Sequence, residues 1–122
     1  YLGRREPGQW SRKTASQQKY KQMIDAWGGW KLFLELLGCL KLIAEQHNVS
    51  IANVATRYIL DKPTVAGVIL GTRLGVSEHR ADNACTFRLA LDDDAHGHIQ
   101  AVLAKSHDMF LSLGDCGDEY RN

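Results

Sequence analysis

The segment that most constrains the fold is residues 65–70, VAGVIL, an unbroken apolar run bounded by Pro63 and Gly71. A continuous apolar run without polar alternation is typical of a strand buried on both faces. Such a strand needs a neighbour on each side, because an unpaired backbone N–H or C=O in a dry interior costs about 1 to 3 kcal/mol. No other segment has a strand pattern. We therefore expect residues 65–70 to be one strand of a larger α/β sheet.

The start of the chain supports that expectation, and one alternative to it stays open. The chain opens at Tyr1 rather than at a methionine, so we expect it to be part of a longer protein whose other strands pair with residues 65–70. The alternative is that residues 65–70 are helical or form a small ribbon in a complete helical domain, since short apolar runs are ambiguous. Pro63, Gly67 and Gly71 argue against a helix.

Most of the remaining sequence has helical periodicity. A helix is predicted from about residue 16 to residue 27, where the Gly28–Gly29 pair interrupts it. Residues 30–46 carry a wide apolar stripe and predict a second helix. Ser50 is placed to cap a third helix, which Pro63 cannot continue. The second and third helices then form an αα-hairpin.

After the apolar run, two more helix starts are predicted. Ser77 is a candidate N-cap for a helix over residues 78–87, and Asp92 for a last helix over about residues 93–110. We expect residues 1–113 to form one portion of a domain and residues 114–122 to be a flexible tail. The acidic run that begins at Asp92 is more simply explained by helix capping than by carboxylate catalysis.

Composition excludes several classes of function. The formal net charge is +1, from 15 Lys+Arg and 14 Asp+Glu, which is too balanced for a protein that binds nucleic acid mainly through phosphate neutralisation. No segment approaches the roughly 20 apolar residues that cross a bilayer. The three cysteines, Cys39, Cys85 and Cys116, lie far apart and show no metal-binding spacing. We therefore expect reduced thiols, a cytoplasmic protein, no metal site, and no nucleic-acid or membrane partner.

The loop after residues 65–70 has the composition of an anion site. Gly71 and Arg73 precede a predicted helix start, where free backbone N–H groups and the helix dipole can face one point. The guanidinium of Arg73 would add donors suited to a phosphate. The loop lacks the spacing of known phosphate motifs, so an ordinary loop with a solvated arginine explains it equally well.

A longer stretch resembles a known family. Residues 42–83, LIAEQHNVSIANVATRYILDKPTVAGVILGTRLGVSEHRADN, are similar to the carboxyl-terminal part of an aldo/keto reductase. The residues that follow the family's helix-pair pattern are Ala44, Asn48, Val49, Ser50, Ala52, Val54, Ala55, Arg57, Tyr58 and Leu60. The resemblance extends from the YLGR opening to about residue 106.

The resemblance implies a fold and a cofactor site. The family fold is a (β/α)8 TIM barrel, of which this chain would be the mostly helical carboxyl-terminal part with residues 65–70 as one barrel strand. Gly71, Thr72 and Arg73 would then meet the adenosine-side phosphate of NADPH or NADH. On the next helix, the family's Q-x-x-E-N appears as His79, Asp82 and Asn83. Asn83 matches it, Asp82 replaces Glu, and His79 replaces Gln.

The implied activity is the reduction of aldehyde or ketone carbonyls by hydride transfer from the cofactor. The family's catalytic Asp, Tyr, Lys and His lie in earlier segments, and no stretch of this chain matches their motifs. We therefore assign no catalytic residue here and expect the isolated chain to be inactive. Two alternatives stay open: a helix-turn-helix DNA-binding module built on VSIANVATRYIL, and a non-catalytic regulatory subunit that keeps the same barrel.

Overall fold

The described part of the chain is entirely helical in its regular structure. The computed structural model describes residues 5–6, 15–72, 75–76 and 78–114. The helices in this part are α1 (Ala15–Trp27), α2 (Gly29–His47), α3 (Ile51–Leu60), α4 (Arg80–Ala84), α5 (Asp93–Leu103) and α6 (Met109–Leu113), with a 3₁₀ helix, Cys85–Arg88, directly after α4. None of these helices has the length and apolar character needed to traverse a bilayer.

The predicted strand is absent, which corrects the expected fold class. Residues 65–70 have no regular structure, and the side chain of Ile69 is 100% exposed. Among the described residues there is no strand with which this segment could pair, and residues 66–70 are exposed rather than buried. The expectation of an α/β fold in which this chain contributes one strand of a TIM barrel is therefore wrong for the structure, although the prediction of a mostly helical chain is confirmed.

The joint between α1 and α2 lies at the predicted glycine pair. α1 ends at Trp27, and α2 begins at Gly29. Gly28 and Gly29 have positive φ angles of 158° and 84°, and an L residue at φ 84° is strained, whereas glycine is not. A Cβ at Gly28 would also lie 2.5 Å from Leu32 Cδ2. The glycine pair therefore permits the backbone conformation that separates α1 from α2.

The αα-hairpin of α2 and α3 confirms the prediction from Ser50. Asn48 adopts the left-handed conformation that commonly ends a helix, with φ 50°. Two residues later the Ser50 hydroxyl accepts a hydrogen bond from the Asn53 N–H at 3.2 Å, and the Asn53 side chain accepts one from the Ser50 N–H at 3.1 Å. This reciprocal capping box fixes the start of α3.

A single apolar core joins α2, α3 and α5. Val54 and Ile99 are its most buried aliphatic side chains, at 0% and 1% exposure. Leu89, just after the 3₁₀ helix, extends this core towards α4. The buried members of the cluster are Leu40, Ile43, Ala44, Val54, Tyr58, Leu89, Ala95 and Ile99. The start of α3, on which the candidate site depends, is therefore anchored on a packed core.

The predicted last helix is divided in two. Asp92 caps α5 as predicted, accepting from the Ala95 N–H at 2.8 Å, but α5 ends at Leu103. The chain turns because the Ser106 hydroxyl donates to the Leu103 carbonyl at 2.7 Å and the His107 N–H donates to the Trp27 carbonyl at 2.8 Å. α6 then starts after Asp108. Of the predicted tail, residues 115–122 lie outside the described residues.

Candidate functional site

The predicted phosphate loop is only partly described. Gly71 and Thr72 are exposed and follow the irregular segment 65–70. Arg73 lies outside the described residues, as does Ser77. Within the described part of the loop, Gly75 has a φ of 72°, a conformation in which glycine is favoured over other residues. The exposed backbone at Gly71 and Thr72 is of the kind that can approach a phosphate.

The predicted adenosine residues lie on one short helix. α4 begins at Arg80 rather than near residue 78, and it contains Asp82 and Asn83. His79 is its N-cap residue, and its side chain makes no capping hydrogen bond. The Asn83 N–H donates to the His79 carbonyl at 2.7 Å. The structure thus brings His79, Asp82 and Asn83 together within about one turn, while no hydrogen bond among the described residues links them to Gly71 or Thr72.

A helix of five residues offers little electrostatic help to an anion. The partial charge at a helix N-terminus depends on several aligned peptide dipoles, and α4 has about one turn of them. Arg80, the basic residue of α4, forms an ion pair with Glu78. Positive charge for a phosphate must therefore come largely from residues outside α4.

A polar network holds α4 against the start of α3. The Ser50 hydroxyl donates to Asp82 Oδ2 at 2.9 Å. The Asn53 side-chain amide donates to the Asp82 carbonyl at 2.8 Å and to Thr86 Oγ1 at 3.2 Å. Asn53 and Thr86 are 1% and 2% exposed. Both N–H donors of the buried Asn53 amide therefore have a partner, so burying this amide leaves no donor unsatisfied.

Sequence reasoning missed Asn53, although a signal was present. Asn53 stands three residues after the predicted N-cap Ser50, which is the position of the second partner in a capping box. The helix-pair pattern does not draw attention to it, because this position is variable in that pattern. Its contacts with Asp82 and Thr86 join residues 29 and 33 positions apart, a distance at which spacing carries no information.

A second polar cluster links α3 with α5. Lys62 Nζ donates to the Tyr58 hydroxyl at 2.9 Å, and the Tyr58 ring lies 5.7 Å from the His96 ring, centroid to centroid. His96 Nε2 is 3.3 Å from Asp61 Oδ2. Tyr58 belongs to the apolar core, so these contacts join two helices around a buried ring, and we assign them no catalytic role.

Two of the three cysteines, Cys39 and Cys85, lie in the described part of the chain. Cys39 and Cys85 are free, and no group of three His, Cys, Asp or Glu side chains among the described residues could hold a metal ion. Burial raises the pKa of the Cys39 thiol, and the negative charge of Glu35 raises it further. Cys39 is therefore a weak nucleophile at neutral pH.

Comparison with known proteins gives one match. A model of the aldo/keto reductase family matches residues 3–104, a range that contains α1 to α5, the loop after residue 70 and the polar network. A search of curated proteins found no significant match, and a search of solved structures also found none.

Proposed function

This chain belongs to the aldo/keto reductase family, a family of oxidoreductases that generally use nicotinamide cofactors, and from that premise we propose that it supplies the adenosine-phosphate end of an NAD(P)H site. In such a site the cofactor provides the hydride that reduces an aldehyde or ketone carbonyl. The residues of this chain bind and orient the distant end of that cofactor.

The observation that carries this proposal is the extent of the family match. The matched range includes the whole of residues 71–83. Within it, the exposed backbone of Gly71 and Thr72 and the side chain of Arg73 would contact the phosphate. His79, Asp82 and Asn83 would form the adenosine side of the site. Backbone N–H groups, a guanidinium and an amide are the donor types that phosphate and adenine require.

The cofactor proposed is NADPH, with NADH as the weaker ligand. A guanidinium binds a phosphate through two parallel hydrogen bonds, and NADPH differs from NADH by a phosphate on the adenosine ribose. If Arg73 makes that contact, Arg73→Ala should weaken NADPH binding by about ten- to a hundredfold, the effect of losing a charged hydrogen bond. NADH binding should change much less.

The experiment is a titration of the protein with NADPH and with NADH, followed by calorimetry or by quenching of tryptophan fluorescence. Lys41→Ala is a matched control, because it removes one positive charge from the exposed face of α2, where Lys41 pairs with Glu45 at 3.5 Å. Lys41→Ala should leave both dissociation constants unchanged. Equal losses of NADPH and NADH affinity in Arg73→Ala would remove Arg73 from this role.

We further propose that catalysis requires residues that this chain does not supply. No stretch matches the family's catalytic motifs, and the Tyr58 hydroxyl, a candidate proton donor by type, is engaged by Lys62 beside the core. The chain alone should therefore consume no NADPH with a panel of aldehydes and ketones. Measurable loss of NADPH absorbance that depends on substrate would contradict this proposal.

The same proposal covers partners and location. The partners are the nicotinamide cofactor and a small carbonyl substrate, with neither nucleic acid nor a membrane, and the free thiols of Cys39 and Cys85 favour the cytoplasm. The DNA-binding alternative requires a recognition helix soon after VSIANVATRYIL, and the described residues between α3 and α4 contain no helix. No observation favours the regulatory-subunit alternative over the enzyme.

A further inference from the structure

Polar contacts join α4 to the start of α3, and α4 buries no residue of its own. α4 has five residues, and none of them is buried. A helix of this length is not stable by itself in water. The side chains of Ser50 and Asn53, at the start of α3, make the hydrogen bonds that join α3 to α4. The side chains of Ser50 and Asn53 therefore hold Asp82, and with it the middle of α4, against the start of α3.

Asp82 is the residue through which α3 acts. Its Oδ2 accepts from the Ser50 hydroxyl, and its backbone carbonyl accepts from the Asn53 amide. One carboxylate oxygen of Asp82, Oδ2, and its backbone carbonyl are thus used within the protein. By contrast, Asn83 makes no side-chain hydrogen bond among the described residues, so its amide can be offered to a ligand.

We propose that Ser50 and Asn53 are positioning residues for the nucleotide site and that Asp82 is their anchor on α4 rather than a direct ligand contact. This inference rests on the proposed function. According to this inference, the Ser50 side chain in the capping box of α3 does two things. The Ser50 hydroxyl accepts from the N–H of Asn53 to start α3, and its own hydrogen points to Asp82 and holds α4 in place. Asn83 is then presented to the adenine.

Removing the hydrogen bond between Ser50 and Asp82 should have a different effect from removing the negative charge of Asp82. Ser50→Ala and Asp82→Ala each break the contact between Ser50 and Asp82, and each should weaken binding. Asp82→Asn keeps an acceptor oxygen for the Ser50 hydroxyl while removing the negative charge. An anchor tolerates this change, whereas a carboxylate that binds the ligand directly does not.

The test uses adenosine 2′,5′-bisphosphate, the adenosine half of NADPH, titrated into the protein and its variants below their unfolding temperatures. Ser50→Ala should raise the dissociation constant about tenfold, because the hydrogen bond that holds Asp82 is lost completely. Ser50→Thr keeps the hydroxyl, and Asp82→Asn keeps an acceptor; both should stay within about threefold of the parent. The double variant Ser50→Ala/Asp82→Ala should bind no more weakly than Asp82→Ala.

A matched control separates positioning from general stability. Asp92→Ala removes the N-cap of α5, a loss similar to that in Ser50→Ala, but Asp92 makes no hydrogen bond to α4 among the described residues. It should lower the melting temperature and leave the dissociation constant unchanged. Equal weakening in Ser50→Ala and Asp92→Ala would overturn the positioning role.

The remaining outcomes are also decisive. Additive effects of Ser50→Ala and Asp82→Ala, or a loss in Asp82→Asn as large as in Asp82→Ala, would show that the Asp82 carboxylate binds the ligand itself and would overturn the inference. If the parent protein binds neither NADPH nor adenosine 2′,5′-bisphosphate, the proposed function fails first. If the parent protein binds and Ser50→Ala binds equally well, the positioning role fails while the proposed function stands.

Discussion

At the scale of single residues, the clearest chemical consequence of the structure concerns Cys39. Burial raises the pKa of its thiol, and the nearby Glu35 charge adds to the rise. Only the thiolate reacts with iodoacetamide, so alkylation of Cys39 at a fixed neutral pH should be slower than that of free cysteine. Glu35→Gln should lower the pKa and speed the reaction. Peptide mass spectrometry over a pH series measures both effects.

Glu45→Gln is the control for this prediction. Glu45 lies on the same helix and pairs with Lys41. Glu45 does not contribute to the raised pKa of the Cys39 thiol. Its removal should leave the alkylation profile of Cys39 unchanged. If Glu35→Gln also leaves the profile unchanged, the negative charge of Glu35 does not raise the pKa of the Cys39 thiol.

The candidate site shows which single residues the sequence could identify. His79, Asp82 and Asn83 followed from a resemblance, and the structure places them within one turn. Ser50 followed from local capping chemistry, because an N-cap acts on N–H groups within three residues. Its contact with Asp82 spans 32 positions, and only the folded chain brings such residues together. The proposed roles in cofactor binding stay predictions.

At the scale of elements, two glycines of α2 should respond in opposite directions to the same substitution. Gly29 has a φ of 84°, so Gly29→Ala should destabilise the protein by about 1 to 2 kcal/mol, the cost of a positive φ for an L residue. Gly38 lies inside α2, and a Cβ added there would meet nothing within 4 Å, so Gly38→Ala should stabilise by about 0.5 to 1 kcal/mol.

Urea unfolding of the two variants checks this pair. Because both variants add one methyl group to the same helix, each serves as the control for the other. A loss of stability in both would mean that added volume, rather than backbone conformation, determines the outcome. A gain in both would mean that the joint between α1 and α2 does not need a positive φ.

The elements also show where sequence reasoning succeeds and fails. Helix boundaries set by local chemistry were predicted correctly, as at the Gly28–Gly29 pair, Ser50 and Asp92. The division of the last helix was missed, because it depends on the hydrogen bond from His107 to Trp27, residues that are far apart in the sequence. The strand at residues 65–70 was predicted from local features, the apolar run and the proline and glycines in and around it, and strand formation requires a partner that the described residues do not contain.

At the scale of the whole molecule, the buried apolar core and the candidate site lie in different parts of the described chain. The core of α2, α3 and α5 supplies the buried apolar contacts, whereas α4 contributes no buried residue. Residues 65–72, which connect the end of α3 with the loop before α4, pack little against that core, since Ile69 is fully exposed. Changes in residues 65–72 should therefore lower the stability of the fold less than changes in the core of α2, α3 and α5.

Two isoleucines test this division with identical chemistry. Ile99 is 1% exposed in the core and Ile69 is 100% exposed. Ile99→Ala should lose about 2 to 5 kcal/mol, the range for truncating a buried aliphatic side chain, whereas Ile69→Ala should stay within about 0.5 kcal/mol, as surface substitutions do. Urea unfolding measures both losses. A loss in Ile69→Ala as large as that in Ile99→Ala would mean that residues 65–70 are buried in the folded protein and that stability is not confined to the core of α2, α3 and α5.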